Sequence, residues 1–129
     1  MMVWKGVIIE ESLEDKGLLD AVNVVQTKEE SLGGEEERGT MHLRCFELED
    51  DKKDEFVSKA KEMIKDRWYI HIFRDGTMVV IFKGRSFEFT KDQKERIEEA
   101  KRYGVSIGIL EEQLEFETLM KYPFGSPKP

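Results

Sequence analysis

Between Trp68 and Thr90 the apolar and polar positions alternate in a way that fixes three strands and their pairing. Trp68-Tyr69-Ile70-His71-Ile72-Phe73-Arg74 is β-branched and aromatic. Asp75-Gly76 follows, a dipeptide that tolerates positive φ at both centres of a two-residue hairpin turn. With Arg74 and Thr77 flanking that loop, antiparallel register sets Phe73 against Met78, His71 against Val80 and Tyr69 against Phe82. A second turn at Gly84-Arg85 predicts Lys83 against Ser86, Phe82 against Phe87 and Val80 against Phe89. One face of the meander then gathers Tyr69, His71, Phe73, Met78, Val80, Phe82, Phe87 and Phe89. The other carries Trp68, Ile70, Ile72, Val79 and Ile81, turning polar at Arg74, Thr77, Lys83, Glu88 and Thr90. A one-sided sheet would be polar all along its outer face, so the middle of this second face needs a cover.

The rest of the chain supplies partners for that meander. Residues 3 to 9 read as an interior strand, with Val3, Val7 and Ile9 on one face and Trp4 and Ile8 on the other. Ser12 and Asp15 resemble a helix start, and Leu13, Leu18, Leu19 and Val22 form a short apolar stripe despite Gly17. A second strand is expected at 23–27, fading into an acidic connection through Gly39 that reads as a solvated loop. A third is expected at 40–48, with Met41, Leu43 and Cys45 facing one way and His42, Arg44 and Phe46 the other. From Asp50 or Asp51 a helix begins, with Phe56, Val57, Ala60, Met63 and Ile64 at helical spacing and acids in its first turn. Thr90 to Gln93 is a capping-box candidate leading into Ile97, Ala100 and Tyr103, with Gly104 placed to end that helix. After an apolar connector at 105–110, a last short helix over 111–121 presents Leu114, Phe116, Leu119 and Met120. The pattern predicts one α+β domain over 1–121, mainly antiparallel, in the order β-α-β-β-α-β-β-β-α-α, followed by a flexible tail at 122–129.

Composition narrows the function classes. A chain of 129 residues can bury a core without disulfides or a structural metal. Charged residues make up 38% and the net charge is -7, which disfavours attraction to a nucleic-acid backbone or to anionic lipid. No apolar run approaches the roughly 18 residues that span a bilayer, and the start lacks a signal pattern, so a cytoplasmic location is expected. Cys45 is the single cysteine, which denies the chain a cysteine cluster for zinc. No metal and no cofactor is expected, and neither phosphate-cradling glycine motif occurs.

Candidate chemistry centres on His71, which sits on the aromatic face between Tyr69 and Phe73. A ligand pocket there would be lined by Tyr69, His71, Phe73 and Trp4, although a general base would also need an orienting carboxylate that the sequence does not identify. The bland alternative is a core histidine with one satisfied nitrogen. His42 and Cys45 are three apart on one strand, hence on opposite faces and unable to share a metal. The adjacent pairs Glu10-Glu11 and Glu111-Glu112 should point apart into solvent. No catalytic residue is assigned. Trp68, Ile70, Ile72, Val79 and Ile81 are the candidate interface, either of a two-fold homodimer or beneath a lid made by the N-terminal strand and short helix.

Trp68-Tyr69-x-His71, then Val80 and Phe82, then Tyr103-Gly104-x-Ser106-x-Gly108-Ile109-x-Glu111-Glu112-Gln113-Leu114-x-Phe116 resembles small prokaryotic proteins of uncharacterised function, over the C-terminal half of the chain. The resemblance implies no activity and no functional residue. The expectation is therefore a noncatalytic interaction module with an unknown protein partner. The alternative is a small-molecule-binding protein or small enzyme with its pocket around His71.

Overall fold

The computed structural model describes residues 3–31 and 39–124, of which residues 30 and 31 are described by their backbone alone. Six strands form one sheet: β1 (Val3–Ile9), β2 (Asn23–Ser31), β3 (Thr40–Glu49), β4 (Ile70–Arg74), β5 (Thr77–Phe82) and β6 (Arg85–Thr90), in the spatial order β2-β3-β1-β4-β5-β6. Every neighbouring pair is antiparallel. Among the described residues three α-helices accompany it, α1 (Lys53–Met63), α2 (Lys94–Ser106) and α3 (Phe116–Lys121). The expected α+β class therefore holds, and β1 is an interior strand joining the ribbon β2–β3 to the meander β4–β6.

The first meander turn is as predicted. Asp75 and Gly76 both have positive φ, 46° and 81°, and Phe73 lies opposite Met78 and His71 opposite Val80. The second turn differs. Its central residues are Lys83-Gly84, with Gly84 at φ 76° in the second position, so Phe82 pairs with Arg85 and Val80 with Phe87. Placing the glycine at the position that needs left-handed backbone decides the turn. The shift amounts to two positions in the partner strand, so every side chain keeps its predicted face.

Helical elements cover both faces. Beneath α1 lies one core of Trp4, Ile8, Phe46, Leu48, Ile70, Ile72, Val79 and Ile81, closed by Phe56, Ala60 and Ile64 from α1 and by Leu13 and Leu18 from the segment after β1. On the opposite face Met78, Val80, Phe82, Phe87 and Phe89 pack against Ile97 and Ala100 of α2, and against Leu114, Phe116 and Leu119. Burying each such side chain contributes on the order of 1.5–3 kcal/mol.

Several helical details depart from expectation. The segment after β1 is not an α-helix but two 3-10 turns, Glu10–Ser12 and Lys16–Ala21. Asp15 accepts from the Gly17 N–H at 2.8 Å, a local turn that competes with α-helix initiation. The segment is instead tied to the end of α1, through Glu14 N to Met63 O and Lys65 N to Ser12 O, both 2.7 Å. In α2 the Gln93 side chain does reach back to the Thr90 N–H at 2.9 Å, but the helix begins at Lys94. Gly104 does not end α2; it is buried within it, where an added Cβ would lie 2.9 Å from Leu114. The last helix is shorter than expected, a 3-10 turn at Glu111–Gln113 followed by α3. Among the described residues no helix is long and apolar enough to cross a membrane.

Candidate functional site

His71 is 4% exposed and flanked on its own face by Tyr69 and Phe73. Its partner is neither a carboxylate nor an open cleft. The Nε2–H donates to the main-chain carbonyl of Pro123 at 2.6 Å, so the first residues of the expected tail lie across the sheet. Residues 125–129 of that expected tail fall outside the described residues. Burial pushes the His71 imidazole down to about 4, against the smaller upward pull of the Pro123 carbonyl, and the ring is neutral at pH 7. Tyr69 is likewise committed, its hydroxyl donating to the Gln113 carbonyl at 2.5 Å and its ring edge-on to Phe116 at 5.4 Å. Burial raises its pKa well above the ordinary tyrosine value. Phe73 is half-buried against the same core. Tyr69, His71 and Phe73 are therefore brought together, as a packed and internally bonded layer.

Trp4 is not with them. Gly6 pairs with Ile72 and Val7 with His71, so the period of two puts Trp4 on the face of Ile72, across the sheet from the histidine. There the indole N–H donates to Asp50 at 2.8 Å, and Arg74 bonds the same carboxylate oxygen at 2.5 Å. The Trp4 bond first, and Arg74 with it, hold the Asp50 carboxyl below its ordinary value. Lys53 and Arg74 lie over the ring, 5.3 and 5.7 Å from its centroid. A pocket formed jointly by Trp4 and His71 is thus excluded by register.

The candidate interface residues have a cover within the chain. Ile70, Ile72 and Ile81 are fully buried, Val79 is 3% exposed, and Trp68 packs against the same core. The segment after β1 supplies part of the expected lid, and α1 the remainder.

A polar cluster gathers at the far end of β1 and β3, where Glu10 and Glu11 do not point apart into solvent. Glu11 accepts from the His42 main-chain N–H at 2.8 Å and from its Nδ1 at 2.6 Å, while Glu29 stands 3.5 Å from Nε2. Glu10 meets Arg44 at 2.6 Å and Lys16 at 3.1 Å. Adjacent carboxylates diverge on a regular strand, yet here the chain leaves β1 in a 3-10 turn, and two long side chains reach two cations on one face of β3. The signal was the His42-x-Arg44 alternation opposite an acidic pair ending the neighbouring strand. The hydrogen bond to Glu11 raises the His42 pKa, overcoming the opposing effect of burial. For Glu11 burial acts upward, but the bonds from His42 outweigh it and leave the carboxyl below its ordinary value. The imidazole is oriented by a carboxylate, and Cys45 is on the other face as expected. Among the described residues no group of three or more His, Cys, Asp or Glu side chains is arranged to hold a metal ion.

The two sheet edges differ. At β6, Arg96 of α2 donates to the Glu88 carbonyl at 2.9 Å and the Gln93 side chain takes the Thr90 N–H. At the other end, among the described residues β2 has β3 as its one strand neighbour over nine residues. A bulge between Val24 and Gln26 interrupts it, and Val24 and Val25 are 37% and 46% exposed. No protein-family model, curated protein or solved structure matches this chain.

Proposed function

We propose that the protein is a noncatalytic interaction module which adds a strand of a partner protein to the outer edge of β2. The carrying observation is that edge, nine residues with no second strand neighbour among the described residues and two exposed valines, at the opposite end of the sheet from an edge capped by α2. An unpaired edge presents alternating N–H and C=O groups to an incoming extended segment, and its side chains select the partner. The imidazole and phenol that could serve chemistry on the aromatic face are spent on main-chain carbonyls of the same chain. The homodimer expected through Trp68, Ile70, Ile72, Val79 and Ile81 meets a face already covered by α1 and the turns after β1. A second copy would instead pair through β2, and a register centred on Thr27 sets Glu29 against Val25 and Lys28 against Gln26, with no like charges directly opposite. A single cysteine and an acidic surface suit the cytoplasm.

Light scattering over a wide concentration range, on the wild type and on Val25→Lys, tests the self-pairing form. A concentration-dependent dimer lost in the variant supports it, and a 15.1 kDa species throughout leaves only a heterologous partner strand. A thermal-shift screen against metabolites and divalent metals tests the broader reading: a ligand that raises the midpoint by several degrees would replace it with small-molecule binding.

A further inference from the structure

The pairing of β1 with β3 stops at Ile9 and Leu43, so His42, one residue beyond, lies past the end of β1. Glu11, from the turn after β1, takes the vacant place. One oxygen of its carboxylate accepts the His42 main-chain N–H at 2.8 Å, and the other meets the ring at Nδ1, 2.6 Å away. On the opposite side of β3, Glu29 of β2 pairs directly with His42, and its carboxylate stands 3.5 Å from Nε2. One imidazole thus touches the turn after β1 through one nitrogen and the outermost strand through the other.

The two contacts respond differently to protonation. Glu11 is held by the main chain, and its second oxygen keeps a proton on Nδ1 whether the ring is neutral or charged. The neutral ring therefore turns the lone pair of Nε2 toward Glu29, an acceptor facing an acceptor. Only the imidazolium carries an Nε2–H, which points a donor and a positive charge at that carboxylate. The remaining charged groups about the ring are already matched. Glu10, on the same turn as Glu11, meets Arg44 of β3 at 2.6 Å and Lys16 of the following turn at 3.1 Å. Lys28 of β2 belongs to the other face, with its ammonium on the Phe124 carbonyl. With the ring protonated, Glu10, Glu11 and Glu29 face His42, Arg44 and Lys16; with it neutral, the cations are one short. The hydrogen bond to Glu11, opposed by burial and aided by the charges of Glu11, Glu29 and Glu10, keeps the proton on the ring above the ordinary histidine value.

We propose that His42 is a proton-operated clasp: its imidazolium ties the outermost strand to the turn after β1 through Glu29 and Glu11, and loss of the Nε2 proton to solvent as the pH rises releases Glu29 and loosens residues 27–31 of β2. That part of the strand depends on the tie. The bulge between Val24 and Gln26 separates it from the inner part of β2. Thr27 and Glu29 are exposed and Lys28 is half-buried, and β3 is the one strand neighbour among the described residues. Segments with so few buried contacts open at much lower free energy than the global fold, so one ion pair shifts their opening measurably. The clasp belongs to the chain by itself and needs no partner. Because β2 also carries the proposed docking edge, that edge is better ordered at lower pH, and this consequence alone rests on the noncatalytic interaction reading.

The test follows full-length protein by NMR. The His42 ring is titrated between about pH 5 and 9, and amide exchange of residues 27–31 is measured about one pH unit below and above its midpoint, with each rate corrected for the intrinsic effect of pH. In the wild type, protection of these amides should fall about threefold from the lower pH to the higher, the size of effect an exposed cross-strand ion pair supports. Glu29→Gln should abolish that step and lower the His42 midpoint. A carboxamide accepts from the charged ring and donates to the neutral one, so it fits both states, and Glu29 is 68% exposed, so the change leaves the core alone. Protection that stays level across the wild-type midpoint overturns the proposal, as does a step of equal size in Glu29→Gln. A His42 midpoint that Glu29→Gln leaves in place overturns it as well. Light scattering on Val25→Lys bears on strand addition alone, so failure of the clasp and failure of the docking edge are read from different measurements.

Discussion

The meander half of the sheet and the ribbon half place a histidine each, and they treat it in opposite ways. β4, β5 and β6 have packed apolar cores on both faces, and His71 there is buried, neutral and bound to a carbonyl. Among the described side chains of β2 none is fully buried, and at this end of the sheet His42 on β3 is half-exposed between two carboxylates. Desolvation dominates the first site and drives its pKa down; a hydrogen-bonded acid dominates the second and drives it up. The contrast shows that cover, more than residue type, sets how this sheet treats a histidine, and that one half is covered and the other open.

The largest expected effect is on the core of the covered half. Phe82 is fully buried, with ring centroids 6.1, 5.9 and 5.0 Å from Tyr69, Phe87 and Tyr103. Phe82→Ala should lower stability by about 3–5 kcal/mol, while Val25→Ala on the ribbon should stay within about 0.5 kcal/mol. Urea unfolding measures both, and equal midpoints would erase the distinction between the halves.

Acid should weaken the fold through His71. Its folded pKa of about 4 lies below the ordinary 6.5, so between those values the unfolded chain binds a proton that the native state refuses. The contribution is complete above pH 6.5 and is lost as the pH falls toward 4, about 3 kcal/mol at roughly 1.4 kcal/mol per pH unit. Carboxylates with lowered pKa values, such as Glu11 and Asp50, lose stability in the same direction. The comparison with His71→Gln therefore isolates the histidine, and identical pH slopes for the two proteins would show that His71 is not buried neutral.

Gly6 sits at the seam between the halves. A Cβ built there would lie 2.1 Å from the His71 carbonyl oxygen and 2.9 Å from Phe46, so β1 and β4 approach at a distance that only glycine allows. Gly6→Ala should destabilise by about 1–3 kcal/mol. A variant as stable as wild type in denaturant titration would mean that the seam is looser than the structure shows.

The smallest effect belongs to His42. Its raised pKa stabilises the native state below the unfolded value, and this contribution disappears as the pH rises through the folded pKa. Proton NMR should find the His42 ring titrating above the ordinary histidine value, and Glu11→Gln should bring it back down. An unaltered titration in that variant would detach Glu11 from the site.

Local pattern carried most of the architecture. The Asp75-Gly76 turn, the faces of β4 to β6, the opposite faces of His42 and Cys45, and the apolar stripe of α1 follow from periods of two and 3.6 acting over a few residues. The misplaced second turn differed by which residue beside Gly84 completes the loop, a choice between two local geometries that leaves the faces unchanged. The site was less legible. His71, Tyr69 and Phe73 share a face by alternation, but Trp4 was assigned to them across a strand pairing that no local rule fixes.

By itself the sequence determined which side chains alternate, where the meander turns, and that its second face could not remain in water. Only the tertiary structure decided that α1 and the turns after β1 cover that face, that Glu10 and Glu11 converge on His42 and Arg44, and that a segment more than fifty residues downstream lies over His71. Those outcomes depend on contacts between positions far apart in the chain. Their geometry is set by how whole layers pack, and short-range periodicity contains no record of it.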